Sequence, residues 1–207
     1  MSYKKFITFE GGEGSGKTSI INKLVPLLEA DGLSCVTSRE PGGVVIAEKI
    51  REIILDPENT AMCYETEALL FAASRMQHLK EKIIPALDNN KLVICDRYLD
   101  SSLVYQGICR GLGIEKVKTV NSFACDYMPS ITFFIDVTPE VGLARLKNRE
   151  GKIDRLDQEK LDFHNKIYNG YVELSKLYPD RIKRIDGMRD IDLIVKDIYN
   201  YIKEIID

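Results

Sequence analysis

Short apolar segments alternate along this chain with longer segments in which apolar residues recur at the period of a helix. The apolar runs have the length and the β-branched content of strands that are buried on both faces. They lie at 6–9, 34–38, 92–95, 131–137 and 182–185. The segments of helical length lie at 17–30, 44–55, 64–87, 101–108, 115–127, 139–149, 157–178 and 190–206. This alternation predicts a three-layer α/β fold, in which helices flank a five-stranded parallel sheet.

The first strand runs into a glycine-rich loop that ends where the first helix begins. Gly11 and Gly16 have P-loop spacing, and Lys17 and Thr18 complete the pattern G-x-x-x-x-G-K-[ST]. The backbone N–H groups of such a loop bind phosphate, while the lysine would contact the terminal phosphates and the threonine hydroxyl would ligate Mg²⁺. A plain glycine-rich turn is the alternative, but strand, loop and helix follow in the order that a P-loop requires. The residues predicted to bind nucleotide are Gly11, Gly12, Glu13, Gly14, Ser15, Gly16, Lys17 and Thr18.

Length, charge and cysteine content restrict the class of protein. A chain of 207 residues can build one sizeable core, so we predict a single domain over residues 1–207. The formal net charge of −3 provides no basic surface for a duplex, which argues against long nucleic acid as a partner. No apolar run approaches the roughly 20 residues of a membrane span, and we predict a cytoplasmic protein without a membrane partner. The five cysteines are scattered and never form C-x-x-C, which indicates reduced packing residues and no zinc site.

Polar residues stand at the carboxyl ends of the predicted strands, where an open parallel sheet forms its binding crevice. Arg39 and Asp96 are two of them, and Asp96 would hold Mg²⁺ opposite Thr18, directly or through water. Arg97 follows, at a position where a motor or hydrolase of this class usually has a carboxylate base. We therefore predict phosphoryl transfer to an acceptor, with Arg97 neutralising phosphate charge. A structural Asp–Arg pair is the alternative.

The segment after Asp96 carries polar side chains at helical spacing. Ser101 and Tyr105 are four residues apart, as are Ser102 and Gln106, so each pair would share one helix face. Such a face offers hydroxyl and amide groups to a base or a sugar. A polar face turned to solvent would produce the same pattern.

Phe71 and Arg75 have the same spacing on an earlier helix. This separation would let an aromatic ring stack on a nucleobase while the guanidinium reaches the base oxygen. Taken alone, Phe71 would more often be a core residue, so the interpretation depends on its neighbours.

Residues 145–155 are locally basic and lead from a helix into a stretch that contains glycine. We predict that a lid occupies about residues 147–157. Arginines on a movable segment can close over phosphates, exclude water and add positive charge during transfer. A solvated, charged helix end is the alternative.

Five motifs, in order, make the sequence similar to the bacterial thymidylate kinase family. The P-loop alone is shared by many families, whereas the five together are specific, and the resemblance extends from the first strand to the final helices. The motifs are FEGGEGSGKT at 9–18, REPGG at 39–43, FAASR at 71–75, the segment that starts with DRY at 96–106, and DRLD at 154–157. The resemblance implies the nucleoside-monophosphate-kinase variety of the P-loop NTP hydrolase-type fold, assembled as a homodimer.

By this resemblance, the chain transfers the γ-phosphate of ATP to thymidine monophosphate (dTMP), with Mg²⁺ as cofactor and Thr18 and Asp96 as the protein ligands of the metal. Because the P-loop contains Glu13 and no arginine, the lid is expected to supply the catalytic arginine. Glu13 would lie near the sugar 3′-hydroxyl or order the P-loop lysine. The implied catalytic residues are Lys17, Arg39, Arg97 and the two lid candidates Arg149 and Arg155.

The resemblance also implies how dTMP is held. Phe71 would stack on thymine, Arg75 would bond its carbonyl oxygen, and the Tyr105 ring would lie against the sugar. Three arginines would hold the acceptor phosphate, namely Arg39, Arg51 and Arg97. The full set of implied dTMP-binding residues is Glu13, Arg39, Arg51, Phe71, Arg75, Arg97, Ser101, Ser102, Tyr105 and Gln106.

Two other functions are compatible with a P-loop. One is a P-loop kinase that acts on a deoxynucleoside or on a different monophosphate, and acceptor preference separates it from a dTMP kinase. The other is a nucleotide switch, which would need the guanine-reading pattern Asn-Lys-x-Asp. Each Asn-Lys pair in this chain is followed two places later by valine or tyrosine, so the switch is the weaker hypothesis.

Overall fold

The computed structural model of the chain describes residues 3–147, 155–156 and 159–206. Its strands are β1 (Tyr3–Glu10), β2 (Cys35–Arg39), β3 (Leu92–Asp96), β4 (Pro129–Asp136) and β5 (Ile182–Asp186). They form one five-stranded sheet in the order β2-β3-β1-β4-β5, and every neighbouring pair is parallel. The predicted parallel sheet is confirmed, and each predicted apolar run overlaps one of the strands.

Helices connect the strands and cover both faces of the sheet. They are α1 (Lys17–Ala30), α2 (Val45–Leu55), α3 (Tyr64–His78), α4 (Ile84–Asp88), α5 (Leu99–Ser102), α6 (Ile114–Val120), α7 (Ser122–Cys125), α8 (Pro139–Lys147), α9 (Leu161–Leu177) and α10 (Ile191–Ile206). Two π-helical segments, Leu79–Ile83 and Leu103–Cys109, continue α3 and α5. None of the helices in this described part of the chain has the length and apolarity to cross a membrane.

Three predicted helices differ in detail from the observed ones, and one of them, at 101–108, consists of α5 and the π-helical segment that follows it. The segment predicted to be helical at 64–87 consists of α3, a π-helical segment and α4. The predicted helix at 115–127 is interrupted at Asn121, between α6 and α7. The Asn121 amide donates to Val117 O at 2.8 Å, and such a bond between side chain and backbone competes with continuation of the helix.

The sheet separates two hydrophobic cores because successive side chains of a strand point to opposite faces. Phe6 of β1 belongs to the core that packs against α3, α9 and the segment around α5. Ile7 and Phe9 belong to the other core, which α1 and α10 cover. Each of these three β1 residues has no exposed surface, as expected for a central strand buried on both faces.

Candidate active site

The carboxyl ends of three neighbouring strands meet at one level of the sheet. Asp96, the last residue of β3, pairs in register with Phe9 of β1 and with Arg39 of β2. The P-loop leaves β1 directly after Glu10, so it lies beside the ends of β3 and β2. The predicted site residues therefore converge at the carboxyl ends of the strands, where the sequence analysis expects the binding crevice.

Lys17 is held inside the P-loop. Its side chain is 7% exposed, and Nζ donates to Gly11 O at 3.2 Å, to Gly12 O at 3.1 Å and to Ser15 Oγ at 3.1 Å. Burial lowers the pKa of Lys17, and the neighbouring Arg97 guanidinium lowers it further, whereas nearby carboxylates oppose the shift. The loop thus encloses a desolvated ammonium group at the position where P-loop proteins bind terminal phosphates.

The P-loop and α8 approach each other so closely that both contact positions must be glycine. Gly14 has a φ of +66°, and a Cβ there would lie 2.0 Å from Gly142 O. A Cβ at Gly142 would lie 2.2 Å from Glu13 O. Any side chain at either position would push the loop away from α8, so this contact fixes where the loop backbone stands.

Thr18 and Asp96 provide two adjacent oxygen donors at the start of α1. Thr18 Oγ1 donates to Asp96 Oδ2 at 2.8 Å, which joins the helix to the end of β3. A hydroxyl and a carboxylate suit Mg²⁺, which binds through few protein ligands and takes the rest from water and phosphate. Among the described residues, no group of three or more acidic, His or Cys side chains is placed to hold a metal ion.

Glu13, Arg97 and Tyr105 form a charged cluster between the P-loop and the neighbouring cleft. Arg97 Nη2 donates to Glu13 Oε1 at 2.5 Å, and the Tyr105 hydroxyl donates to the same oxygen at 3.1 Å. The Arg97 guanidinium also lies 5.2 Å from the centre of the Tyr105 ring. Burial alone would raise the pKa of Glu13, but the charges of Arg97 and then Lys17 outweigh it and lower that pKa.

The turn that carries Arg97 depends on Glu10, a residue that sequence reasoning missed. Glu10 is fully buried and accepts hydrogen bonds from Tyr98 N at 2.8 Å, Ser101 Oγ at 2.6 Å and the Tyr171 hydroxyl at 2.7 Å. Burial, reinforced by the charge of a nearby aspartate, raises the pKa of Glu10 to about 7. Arg97 itself has a φ of +69°, which is uncommon outside glycine, and these bonds hold the turn in that conformation.

A cleft of about 480 Å³, counted with its open mouth, adjoins the P-loop. Five described parts of the chain supply its walls, namely the P-loop, the Pro41 turn together with α2, helix α3, the segment after β3, and Leu156. The lining residues are Glu13, Glu40, Pro41, Arg51, Leu55, Phe71, Arg97, Ser101, Tyr105, Gln106 and Leu156. Most of the residues expected to bind dTMP are therefore gathered in one cavity.

Arg75 and Ser102 lie behind the cleft and do not line it. Arg75 is 1% exposed and donates to Glu40, Asn121, Tyr98 O and Ser102 Oγ, with the Ser102 bond at 2.9 Å. These bonds use four of the five guanidinium N–H groups. The expected contacts of Arg75 and Ser102 with the base remain predictions.

The helix-face argument from four-residue spacing is only half right. Ser101 and Tyr105 both line the cleft, as expected, but Ser102 and Gln106 do not share a partner. The segment from Leu103 onward is π-helical, so its hydrogen bonds join residues five apart. Ser101 and Gln106, five residues apart, both line the cleft for this reason.

Of the other two arginines expected at the acceptor phosphate, Arg51 lines the cleft and Arg39 does not. Arg51 donates to Pro41 O at 2.8 Å. Arg39 forms a two-bond ion pair with Glu48, at 2.7 and 3.2 Å, and about half of its side chain is exposed. A role for Arg39 on phosphate remains a prediction.

The lid candidates differ in what can be said of them. Arg149 lies outside the described residues, as does most of the predicted lid. Arg155 donates from Nε to Ile54 O at 2.9 Å and from Nη2 to Glu67 Oε2 at 2.5 Å. Its neighbour Leu156 lines the cleft, so this part of the predicted lid lies beside the cleft.

Several buried acidic residues support the site and were missed from the sequence. Besides Glu10, they are Glu40, which accepts from Arg75 at 2.7 Å and contacts His78 at 3.1 Å, and Glu67, which accepts from Gln106 at 3.0 Å. Glu40 is 5% exposed and also lines the cleft. One signal could have identified Glu67: it stands four residues before Phe71 on the same helix, on the face that turns to the cleft.

The structure combines a parallel sheet, a P-loop and a cleft that opens beside the P-loop. Together they define a P-loop enzyme of the nucleotide kinase class. The family model for thymidylate kinases matches residues 9–198. Thymidylate kinase from Clostridium novyi is 48% identical over 205 residues, covering 98% of this chain and 100% of that one, and the one from Acholeplasma laidlawii is 52% identical over 198 residues, covering 95% and 98%. The crystal structure of thymidylate kinase from Ehrlichia chaffeensis has a TM-score of 0.76 at 30% identity, covering 96% of this chain and 97% of that one. The chain belongs to the thymidylate kinase family.

Proposed function

We propose that the P-loop holds ATP and that the adjoining cleft holds dTMP, so that the γ-phosphate passes directly between the two nucleotides. As a member of the thymidylate kinase family, the chain is an enzyme that phosphorylates dTMP to dTDP. The position of Glu13 carries the assignment of the two sites, because this residue belongs to the P-loop and also lines the cleft. Phosphates bound in the two places would therefore face each other.

The composition of the cleft supports the proposed orientation of dTMP. Phe71 offers a ring for stacking on thymine, and Gln106 offers a buried amide at the base end. Tyr105 stands between the base end and the P-loop, as a residue against the sugar would. Arg51 and Arg97 provide the positive charge for the acceptor phosphate.

On the donor side, Lys17 is proposed to bind the β- and γ-phosphates, in exchange for its present bonds to loop carbonyls. The Thr18 hydroxyl and the Asp96 carboxylate would hold Mg²⁺. When bound, the metal neutralises the charge that develops on the transferred phosphoryl group. Arg97 would supply the corresponding positive charge from the acceptor side, since it lies within hydrogen-bond distance of the P-loop residue Glu13.

We propose that the lid adds an arginine at the moment of transfer, with Arg149 and Arg155 as the candidates. A catalytic role for Arg155 requires its bonds to Ile54 O and Glu67 to break when both nucleotides bind. Kinetics of the two alanine variants would distinguish the candidates. Alanine at the position of the catalytic arginine should lower kcat more than it lowers nucleotide affinity.

Acceptor screening tests the proposed function. We expect dTMP to be a better acceptor than thymidine, uridine monophosphate and adenosine monophosphate, because the cleft combines a base-stacking ring with arginines for a phosphate. ADP release measured with each acceptor gives the order. Chelation of divalent ions should abolish transfer and added Mg²⁺ should restore it. A preference for unphosphorylated thymidine, or full activity without a divalent ion, would contradict the proposal.

We further propose that the enzyme is a homodimer. α3 contacts α2, α6 and α7. Each of these four helices carries at least one exposed apolar side chain, which in α6 lies at the C-terminal end. The most exposed are Val45, Ile46, Ile53, Leu69 and Phe123, at 70%, 51%, 49%, 58% and 71%. A second copy that covers this apolar surface would remove it from water.

The mass in solution tests the dimer. The unmodified chain should have the mass of two chains by light scattering, and Phe123→Glu combined with Leu69→Glu should produce monomers, because each introduces a charge into the proposed interface. Leu193→Glu is the control, since Leu193 is 53% exposed on α10, which packs on the other core. A monomeric unmodified chain, or an unchanged dimer in the double variant, would contradict this interface.

The remaining expectations concern surroundings. We propose a cytoplasmic location, where ATP and Mg²⁺ are both supplied, and cell fractionation checks it. The net charge of −3 supports the expectation that long nucleic acid is not a partner.

A further inference from the structure

The amide of Gln106 has one satisfied end and one unsatisfied end. The side chain is 1% exposed and lines the acceptor cleft. Nε2 donates to Glu67 Oε1 at 3.0 Å, whereas Oε1 has no hydrogen-bond partner among the described residues. Because a buried acceptor without a partner is costly, the free oxygen indicates that a ligand donates to it.

Glu67 determines which end of the amide is free. It is 1% exposed and lies behind Gln106 without lining the cleft. Burial would raise the pKa of Glu67, but the hydrogen bond from Gln106 and the charges of Arg110 and Arg155 hold that pKa below its usual value. An ionised carboxylate only accepts hydrogen bonds, so the Gln106 NH₂ group must face it and the Gln106 oxygen must face the cleft.

We propose that Glu67 is a positioning residue that sets base specificity by fixing the orientation of the Gln106 amide. This inference rests on the proposed place of Gln106 at the base end of the cleft. A fixed oxygen there matches the N3–H group of thymine or uracil. Cytosine has a lone pair at N3, which would be opposed to the Gln106 oxygen, and the site would reject it.

The hydrogen bonds on the side of Glu67 that faces away from Gln106 make the effect of a substitution at residue 67 predictable. Arg155 Nη2 donates to Glu67 Oε2 at 2.5 Å, and Arg110 Nη2 donates to the same oxygen at 3.5 Å, so that side of residue 67 must remain an acceptor. On the other side, Arg110 Nε lies farther from Oε1 than Gln106 does, at 3.4 Å against 3.0 Å. In Glu67→Gln, the amide oxygen of residue 67 would stay toward Arg155 and its NH₂ group would turn toward Gln106. Gln106 would then reverse, presenting its NH₂ group to the cleft, a donor suited to the N3 of cytosine.

The test compares dTMP with 5-methyl-dCMP, which has the same shape and differs in the base at N3 and at the 4-substituent. We expect the unmodified enzyme to prefer dTMP by kcat/KM, and Glu67→Gln to reduce that preference at least about tenfold by reversing one hydrogen bond. Glu65→Gln is the matched control, because Glu65 is an exposed acid on the same helix. It should leave the preference unchanged.

The possible outcomes separate the proposal from its premise. If Glu67→Gln lowers activity toward both acceptors equally, Glu67 is only structural and the proposal is wrong. If the unmodified enzyme already shows no preference, the proposed position of the base beside Gln106 is wrong, and with it the premise of this inference. Neutron diffraction from the unmodified enzyme with dTMP does not depend on the folding of a variant. Deuterons on the Gln106 nitrogen that faces Glu67 are expected, and deuterons on the base side would overturn the proposal.

Discussion

Replacing Lys17 with alanine is expected to lower kcat by about 10²–10³-fold or more, as for the loss of a buried group that stabilises transition-state charge. Lys17 is 7% exposed as a residue, so the interaction of its ammonium group with a phosphate is little screened by water. The measurement is steady-state ADP release with ATP and dTMP both saturating. Turnover close to that of the unmodified enzyme would contradict the assignment of the P-loop as the donor site.

Two controls separate chemistry from structure in that experiment. Lys17 also bonds to the carbonyls of Gly11 and Gly12, so its loss could loosen the loop, and ATP binding measured directly would report this. Lys23→Ala removes a lysine from the same helix. Because Lys23 forms an exposed ion pair with Asp192, its removal should leave kcat nearly unchanged.

The parallel sheet and the P-loop were predictable because both depend on local sequence. A buried parallel strand is a short apolar run, and the loop needs glycines, lysine and threonine at fixed spacing. Strand order was not predicted, since pairing depends on contacts far apart in the chain. The register that brings Arg39 and Asp96 to one level is visible only in the folded sheet.

The supporting acidic residues were not predictable for a different reason. Glu10, Glu40 and Glu67 each act through partners more than 30 residues away, so no short pattern marks them. A glutamate in a helix or at a strand end is usually a surface residue. Only burial shows that these three are paired, and only the pairing shows that they hold Arg97, Arg75 and Gln106 in place.

The π-helical segment after Ser102 shows that a motif can be recognised correctly while the helix face of one of its residues is not. Four-residue spacing was applied to residues 101–106 on the assumption of a regular α-helix. The wider turn brings Ser101 and Gln106 to the cleft and leaves Ser102 bonded to Arg75. π-Helical turns are rare and often occur at functional sites, so the error falls at the site itself.

Replacing Arg97 with alanine is expected to lower kcat/KM for dTMP by about 10²-fold or more, with a much smaller change in the KM for ATP. The guanidinium lines the acceptor cleft and compensates the partly buried charge of Glu13 at 2.5 Å. Its removal would leave that carboxylate without its nearest cation, facing the incoming phosphate. Arg97→Lys should recover only part of the loss, because an ammonium keeps the charge but not the fork that contacts Glu13, Ser101 and Tyr171 together.

Steady-state kinetics with each substrate varied in turn distinguishes this role from a structural one. The turn around Arg97 is held independently by Glu10, through the backbone of Tyr98 and Ser101, so the alanine variant should keep its fold and its melting temperature within a few degrees. Arg189→Ala is the control, because Arg189 forms an exposed pair with Asp197 far along the chain. A rise in the KM for ATP as large as the rise in the KM for dTMP would mean that Arg97 supports the whole site, and the assignment of its charge to the acceptor phosphate would then be wrong.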